Sequence, residues 1–179
     1  MKKLSPRKLI FVDEFGTNLG MTRRYARAPR GQRAVGSAPG NPDPNITLVM
    51  GLSCEGVVAP LAFEGAMNGD IFTAYAQTQL GPQLQPGDVV FVDRLGSHRT
   101  RAARAAIEAR GAQLRLLPPY SPDFTPVEKC GAKVKDVIRG LAPRTVSAVI
   151  DAMGEGIGAV TAADARAWFV WCGYRIKTG

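Results

Sequence analysis

Three carboxylates stand out for what they could do together: Asp13, Asp93 and Glu128. The first two end copies of one phrase, Phe11-Val12-Asp13-Glu14-Phe15-Gly16 and Phe91-Val92-Asp93-Arg94-Leu95-Gly96, which share Phe-Val-Asp-x-x-Gly. In each copy a short apolar run stops at one acid. Such a run reads as a strand buried on both faces, and an acid at its C-terminal end lies where open α/β sheets place their ligands. If the two strands are parallel neighbours, Asp13 and Asp93 meet at one sheet edge, where they repel unless they share a proton or a cation. Glu128 follows Asp93 with 34 residues between, enough chain for a helix, a strand and a stiff link back to the same edge. Three carboxylates gathered there make a hard-oxygen site suited to Mg²⁺ or Mn²⁺. Two such ions roughly 3.5–4 Å apart would hold a phosphodiester in line between attacking and leaving oxygens. The nucleophile would then be water or a 3′-hydroxyl, which agrees with the lack of a convincing nucleophile–base pair.

His98 is the one histidine in the chain. It cannot build a zinc site alone, and it reads as a surface residue near a helix start at the mouth of the acid site. Cys54, Cys130 and Cys172 are far apart with no Cys-x-x-Cys pair, so neither zinc ligation nor a disulfide framework is indicated, and a reducing cytosolic setting fits. Asp13-Glu14-Phe15-Gly16-Thr17 faintly matches a phosphatase nucleophile strand, but Phe15 stands where the second acid would be. Glu128 also has a purely structural reading. Thr125-Pro126-Val127-Glu128 is the pattern of a capping box with proline at the first helical position.

The elements that would position these acids follow from the pattern along the chain. The 179 residues suit one domain, taken as residues 1–179, with a sizeable core. A first strand is expected over residues 8–15. Residues 16–44 lack apolar periodicity and carry Arg23, Arg24, Arg27, Arg30 and Arg33 among many glycines and prolines. A loop that long is functional or disordered, and its arginines suit phosphate or a partner protein. Strands at 45–53 and 57–63 form a hairpin around Glu55-Gly56. Asp70 is expected to cap a helix to about Leu80, followed by the second Phe-Val-Asp strand. Ser97 or Thr100 caps an Ala/Arg-rich helix ending at Gly111, and a fifth strand spans 113–117. Pro118-Pro119-Tyr120-Ser121-Pro122-Asp123 is a stiff connector. A helix follows with a buried stripe of Val127, Cys130, Val134, Val137, Ile138 and Leu141, then one at 147–160 and a last one capped by Thr161 to Asp164, whose Trp168, Phe169, Trp171 and Tyr174 read as core. The order predicts an α/β, ribonuclease-H-like mixed five-stranded sheet, with three antiparallel meander strands and two parallel ones, flanked by helices.

Net charge is +8, from 23 Lys and Arg against 15 Asp and Glu, which favours a polyanionic partner such as nucleic acid. Candidate DNA contacts are the five loop arginines, His98, Arg99, Lys129, Lys133 and Lys135. No stretch could span a membrane.

Beyond these patterns, Phe-Val-Asp-Glu (11–14), Tyr-Ala-Arg-Ala-Pro-Arg-Gly (25–31), Val-Asp-Arg-Leu-Gly-Ser-His (92–98) and Leu-Pro-Pro-Tyr-Ser-Pro-Asp-Phe-Thr-Pro-Val-Glu-Lys (117–129) resemble the DDE catalytic domain of bacterial insertion-sequence transposases, in the six-thirty branch related to mariner. The ending Asp-Ala-Arg-Ala-Trp-Phe…Cys-Gly-Tyr (164–174) is similar to that family's C-terminus. The resemblance implies that Asp13, Asp93 and Glu128 bind Mg²⁺ or Mn²⁺, as two ions, to cut transposon ends and join them to target DNA at TA. It implies a homodimer, with the segment after the first acid touching the partner subunit, and action in the bacterial cytoplasm at the nucleoid. Transposases of this type read their ends with N-terminal helix-turn-helix units. The expectation here is that such a unit is supplied by a separate polypeptide or an upstream reading frame. Three positions depart from the family pattern. Arg94 stands for Asn, Thr125 for the Asn before Pro-x-Glu, and Gly131 for Trp. A guanidinium beside Asp93 would compete with a metal. The alternative expectation is therefore an impaired domain that only binds DNA or oligomerises.

Overall fold

The computed structural model describes residues 4–118 and 124–176. Five strands form one mixed sheet in the order β3-β2-β1-β4-β5: β1 (Leu9–Thr17), β2 (Ile46–Ser53), β3 (Gly56–Glu64), β4 (Val89–Val92) and β5 (Gln113–Leu116). β1 pairs antiparallel with β2, and β2 with β3. On its other side β1 pairs parallel with β4, and β4 with β5. This is the ribonuclease-H-like arrangement expected from the order of elements.

Leu9 to Val12 and Val89 to Val92 carry side chains on both faces of the sheet, and helices cover both. Successive side chains point to opposite faces, so the apolar runs feed two core layers. Leu9, Phe11, Ile46, Leu48 and Met50 pack with α3 (Pro126–Leu141), α4 (Val146–Gly158) and α5 (Ala162–Trp171). Ile10, Val12, Val49, Val90 and Val92 pack with α1 (Gly69–Tyr75) and α2 (Arg101–Glu108). Phe11 anchors the first layer. Its ring stacks on Phe91 at 5.1 Å and meets Phe169 edge-on at 5.5 Å. Burying one such ring stabilises the fold by about 1.5–3 kcal/mol. α4 closes on α3 through Gly156, where an added Cβ would lie 2.8 Å from Val134 Cγ1.

Several local expectations change. Asn68, not Asp70, caps α1, its side chain accepting from the Ile71 N–H. The helix continues as π-turns over Ala76–Leu80. Thr100 caps α2 and Thr145 caps α4, while Thr161 and Asp164 form the expected capping box of α5. Thr125, by contrast, makes no side-chain cap bond to α3, so the structural reading of Glu128 as half of a capping box fails. Val127, Cys130, Val134 and Ile138 are buried as expected, but Leu141 is not, lying past the end of the core. Trp171, expected in the core, is 61% exposed with Lys129 Nζ 3.4 Å from its ring centroid. α5 ends there, and its buried face is already filled by Ala165 and Phe169. The connector at 119–123 lies outside the described residues. No single helix among those described is long and apolar enough to cross a membrane. α4 and α5 reach that length only as a pair bent by 74°, and their apolar faces line the core.

Candidate metal and nucleic-acid site

The site is set by strand register. Parallel pairing matches Leu9 with Val89, Ile10 with Val90 and Phe11 with Phe91. Two residues beyond the last of these pairs lie Asp13, still inside β1 and paired with Met50 of β2, and Asp93, just past the end of β4. α3 then crosses this end of the sheet, in contact with β1 and β2. Its Gly131 faces the Phe15 ring, to which an added Cβ would approach 3.4 Å. Lys135 Nζ stands 4.6 Å from the same ring centroid. Glu128, one turn before Gly131, is exposed on that side.

The electrostatics join the three acids. The carboxyl of Asp13 is pushed up to about 7, first by burial, then by the charges of Glu128, Glu14 and Asp93, against a backbone hydrogen bond at Glu14 that pulls it down. Three other acids thus bear on Asp13 from β1, from the end of β4 and from α3. Negative charge held in a half-buried place calls for a proton or a cation. The donors are all carboxylate oxygens, the chemistry of a Mg²⁺ or Mn²⁺ site. Among the described residues, no three His, Cys, Asp or Glu side chains already stand close enough to form a metal cluster.

His98 corrects the sequence reading. It is fully buried, not a surface residue and not placed to touch DNA. Its Nδ1 bonds Asp93 Oδ1, and its Nε2 lies 3.0 Å from Glu14 Oε2. That second pair is at ion-pair distance without the alignment of a good hydrogen bond. The ring packs on Phe72 of α1 with centroids 4.5 Å apart. Burial pulls the imidazole down, but Glu14 and Asp93 together outweigh it and hold it above its ordinary value. Glu14 is the residue that sequence reasoning missed. Its one signal was its place beside Asp13.

Arg94 has a backbone partner of its own. Its Nε donates to the Leu117 carbonyl at 3.1 Å, and among the described residues it makes no ion pair with Asp93. The candidate DNA contacts divide into groups. Lys133 is tied to Asp164 Oδ2 at 2.7 Å, and Lys129 rests over Trp171. Arg99 and the loop residues Arg24, Arg27, Arg30 and Arg33 are exposed. Arg23 crosses Gly140 of α3, where an added Cβ would lie 3.0 Å from its Nη2. Arg144 pins the loop, donating from Nη1 to the carbonyls of Leu19 and Met21 at 3.0 Å and from Nη2 to that of Ser37 at 3.2 Å.

With this geometry in hand, comparison with known proteins is decisive. Residues 8–150 match the family model described as DDE superfamily endonuclease. The chain belongs to this family. As a DDE endonuclease-family chain it shares its fold with several solved Mos1 mariner transposase structures. A pre-cleavage Mos1 transpososome superposes with a TM-score of 0.72 at 17% identity, covering 92% of this chain and 52% of the other. A Mos1 paired-end complex with Mn gives 0.69 at 17% identity, with the same 92% and 52% coverage. The isolated Mos1 catalytic domain gives 0.60 at 14% identity, covering 92% and 76%. The DDE chain thus spans about half the length of the Mos1 chains in those complexes. No curated protein sequence matches it.

Proposed function

We propose that this chain is the catalytic domain of a DNA transposase, cutting transposon ends and joining them to target DNA with the help of divalent cations. The observation that carries the reading is Asp13. It lies two residues beyond the parallel pair of Phe11 with Phe91, as Asp93 does on the other strand, and its carboxyl is raised to about 7 by burial and by the charges of Glu128, Glu14 and Asp93. A fold that spends stability on holding a carboxyl among other acids has a use for it there. Asp13, Asp93 and Glu128 would hold the cations, Mg²⁺ or Mn²⁺, as two ions. When bound, such ions would supply Lewis-acid stabilisation of the charge developing on the phosphodiester. Supporting evidence comes from relatives of the same fold, which were solved with Mn, with Mg and with a transposon end.

The remaining work falls to this chain's own side chains. The loop arginines and Lys135 would bind and orient the DNA backbone. His98 is held by two acids and buried, so it is no free base, and attack is left to water or a 3′-hydroxyl. The pinned loop, with Tyr25 and Val35 exposed, suits contact with a second subunit in a homodimer. Reading of the terminal sequences, with insertion at TA, would be the task of a helix-turn-helix unit. The setting would be the bacterial cytoplasm.

The test is nicking of supercoiled plasmid by the purified chain with Mg²⁺ or Mn²⁺. Nicking that is lost in Asp93→Asn supports the proposal, and metal-dependent nicking unaffected by that change overturns it. A second reading, a domain that binds DNA without cutting it, is favoured by the lack of three ligands already at metal spacing among the described residues. DNA binding that is indifferent to metal, with no nicking, would establish it.

A further inference from the structure

A histidine buried to this degree between two acids from different strands has no role in the chemistry just described. Its place in the fold suggests one. His98 sits in a single 3-10 turn, Gly96–Arg99, directly after β4. From there the ring reaches Asp93, at the end of its own strand, and Glu14, on the neighbouring strand β1. Phe72 backs the ring from α1, so it is held on three sides. Asp93 Oδ1 accepts from both His98 Nδ1 and the Leu95 N–H, the latter at 3.0 Å. Both hydrogen bonds that Asp93 makes among the described residues therefore fall on one oxygen. The other, Oδ2, is left for whatever Asp93 is to hold. Glu14 lies beside Asp13 in sequence, and its side chain is 14% exposed. Loose in the acid site, it would be a fourth hard-oxygen ligand.

We infer that His98 is a positioning residue: it braces Asp93 through Oδ1, and it holds Glu14 aside so that Asp13, Asp93 and Glu128 are the acids presented to a cation. This deepens the proposed transposase reading and rests on it. Partners that orient a metal ligand change metal affinity by about 10–100-fold when removed, which sets the size of the expected effect.

The experiment measures Mn²⁺ binding to the full chain by electron paramagnetic resonance of the free ion, without DNA. His98→Asn can place its amide nitrogen near the Nδ1 position and keep the donor to Asp93. His98→Gln reaches toward the Nε2 position and loses it. The expected result is that His98→Asn binds Mn²⁺ within about threefold of the parent, while His98→Gln loses at least about tenfold at an equal melting temperature. Equal affinities in the two variants overturn the inference. Because the site is buried, Glu14→Gln serves as a second arm. Affinity within about threefold of the parent supports Glu14 as a residue held aside, whereas a loss of about tenfold or more makes it a ligand and overturns the inference. His98 is the one histidine, so ring-¹⁵N labelling yields one assignable signal. Stoichiometric Mn²⁺ should broaden it away, and bound Mn²⁺ that leaves it sharp counts against the brace. A failure of the underlying reading looks different. In that case the parent binds no Mn²⁺, or Asp93→Asn binds it as well as the parent.

Discussion

Replacing Asp13 by asparagine should make the metal-free protein more stable at alkaline pH. The folded protein holds the Asp13 proton to about 7, against an ordinary value of 3.8. A carboxyl raised on folding contributes stability that is fully present below 3.8 and lost as pH climbs through about 7. At roughly 1.4 kcal/mol per pH unit the gap amounts to about 4 kcal/mol, which solvent screening at a half-buried carboxyl reduces to about 2–4 kcal/mol. The amide keeps the size of the side chain and cannot ionise. Urea unfolding of both proteins in a chelator, at pH values from 4 to 9, measures the difference directly. The advantage of Asp13→Asn over the parent should open between about pH 4 and 7, reach about 2–4 kcal/mol, and stay level above about pH 8. Saturating Mg²⁺ or Mn²⁺ should narrow it by stabilising the parent alone. A difference that does not change with pH, or a parent that is the more stable protein at pH 8, would refute the account of Asp13 as a carboxylate held under electrostatic stress.

Further outcomes follow from other contacts. Mn²⁺ affinity of the parent should rise by up to about tenfold per pH unit below pH 7, because the Asp13 proton must leave first, and calorimetric titration at pH 6 and 7 checks this. Gly156→Ala should cost about 1–3 kcal/mol, since its Cβ would press on Val134 Cγ1 at 2.8 Å and on Val134 backbone at 3.2 Å. Gly154→Ala in the same helix meets nothing within 4 Å and should gain about 0.5–1 kcal/mol, so thermal melts of the pair should move in opposite directions. Arg144→Ala frees three carbonyls of the loop, and trypsin should then cleave at Arg23 to Arg33 several times faster while the melting temperature shifts little.

The sheet was legible because its signal is local and repeated. Two Phe-Val-Asp runs state strand, burial and edge in six residues each, and the Glu55-Gly56 turn states the hairpin. The same phrases pointed to the two runs as parallel neighbours, and Phe11 does pair with Phe91. His98 was misread because a single histidine near a helix start carries no local mark of burial. Its environment is built from Glu14, Phe72 and Asp93, which come from three elements. The Thr125–Glu128 pattern misled in the opposite direction. It has the letters of a capping box, yet the backbone at Thr125 is at φ −118° and ψ 89°, and the side chain makes no cap bond there. Trp171 showed the limit of composition, for an aromatic near a chain of core residues can still fall on the last, outward turn of a helix.

Strand order also has a consequence for the chain as it is made. β1 is made before the other four strands yet ends in the middle of the sheet, and β4 can join it only after β2, β3 and α1 have followed. The helix bearing Glu128 comes later still. A nascent chain therefore carries the β1–β3 meander with Asp13 and Glu14 before Asp93 and Glu128 have been added, and the proposed cutting centre cannot be assembled from a product that stops short of α3.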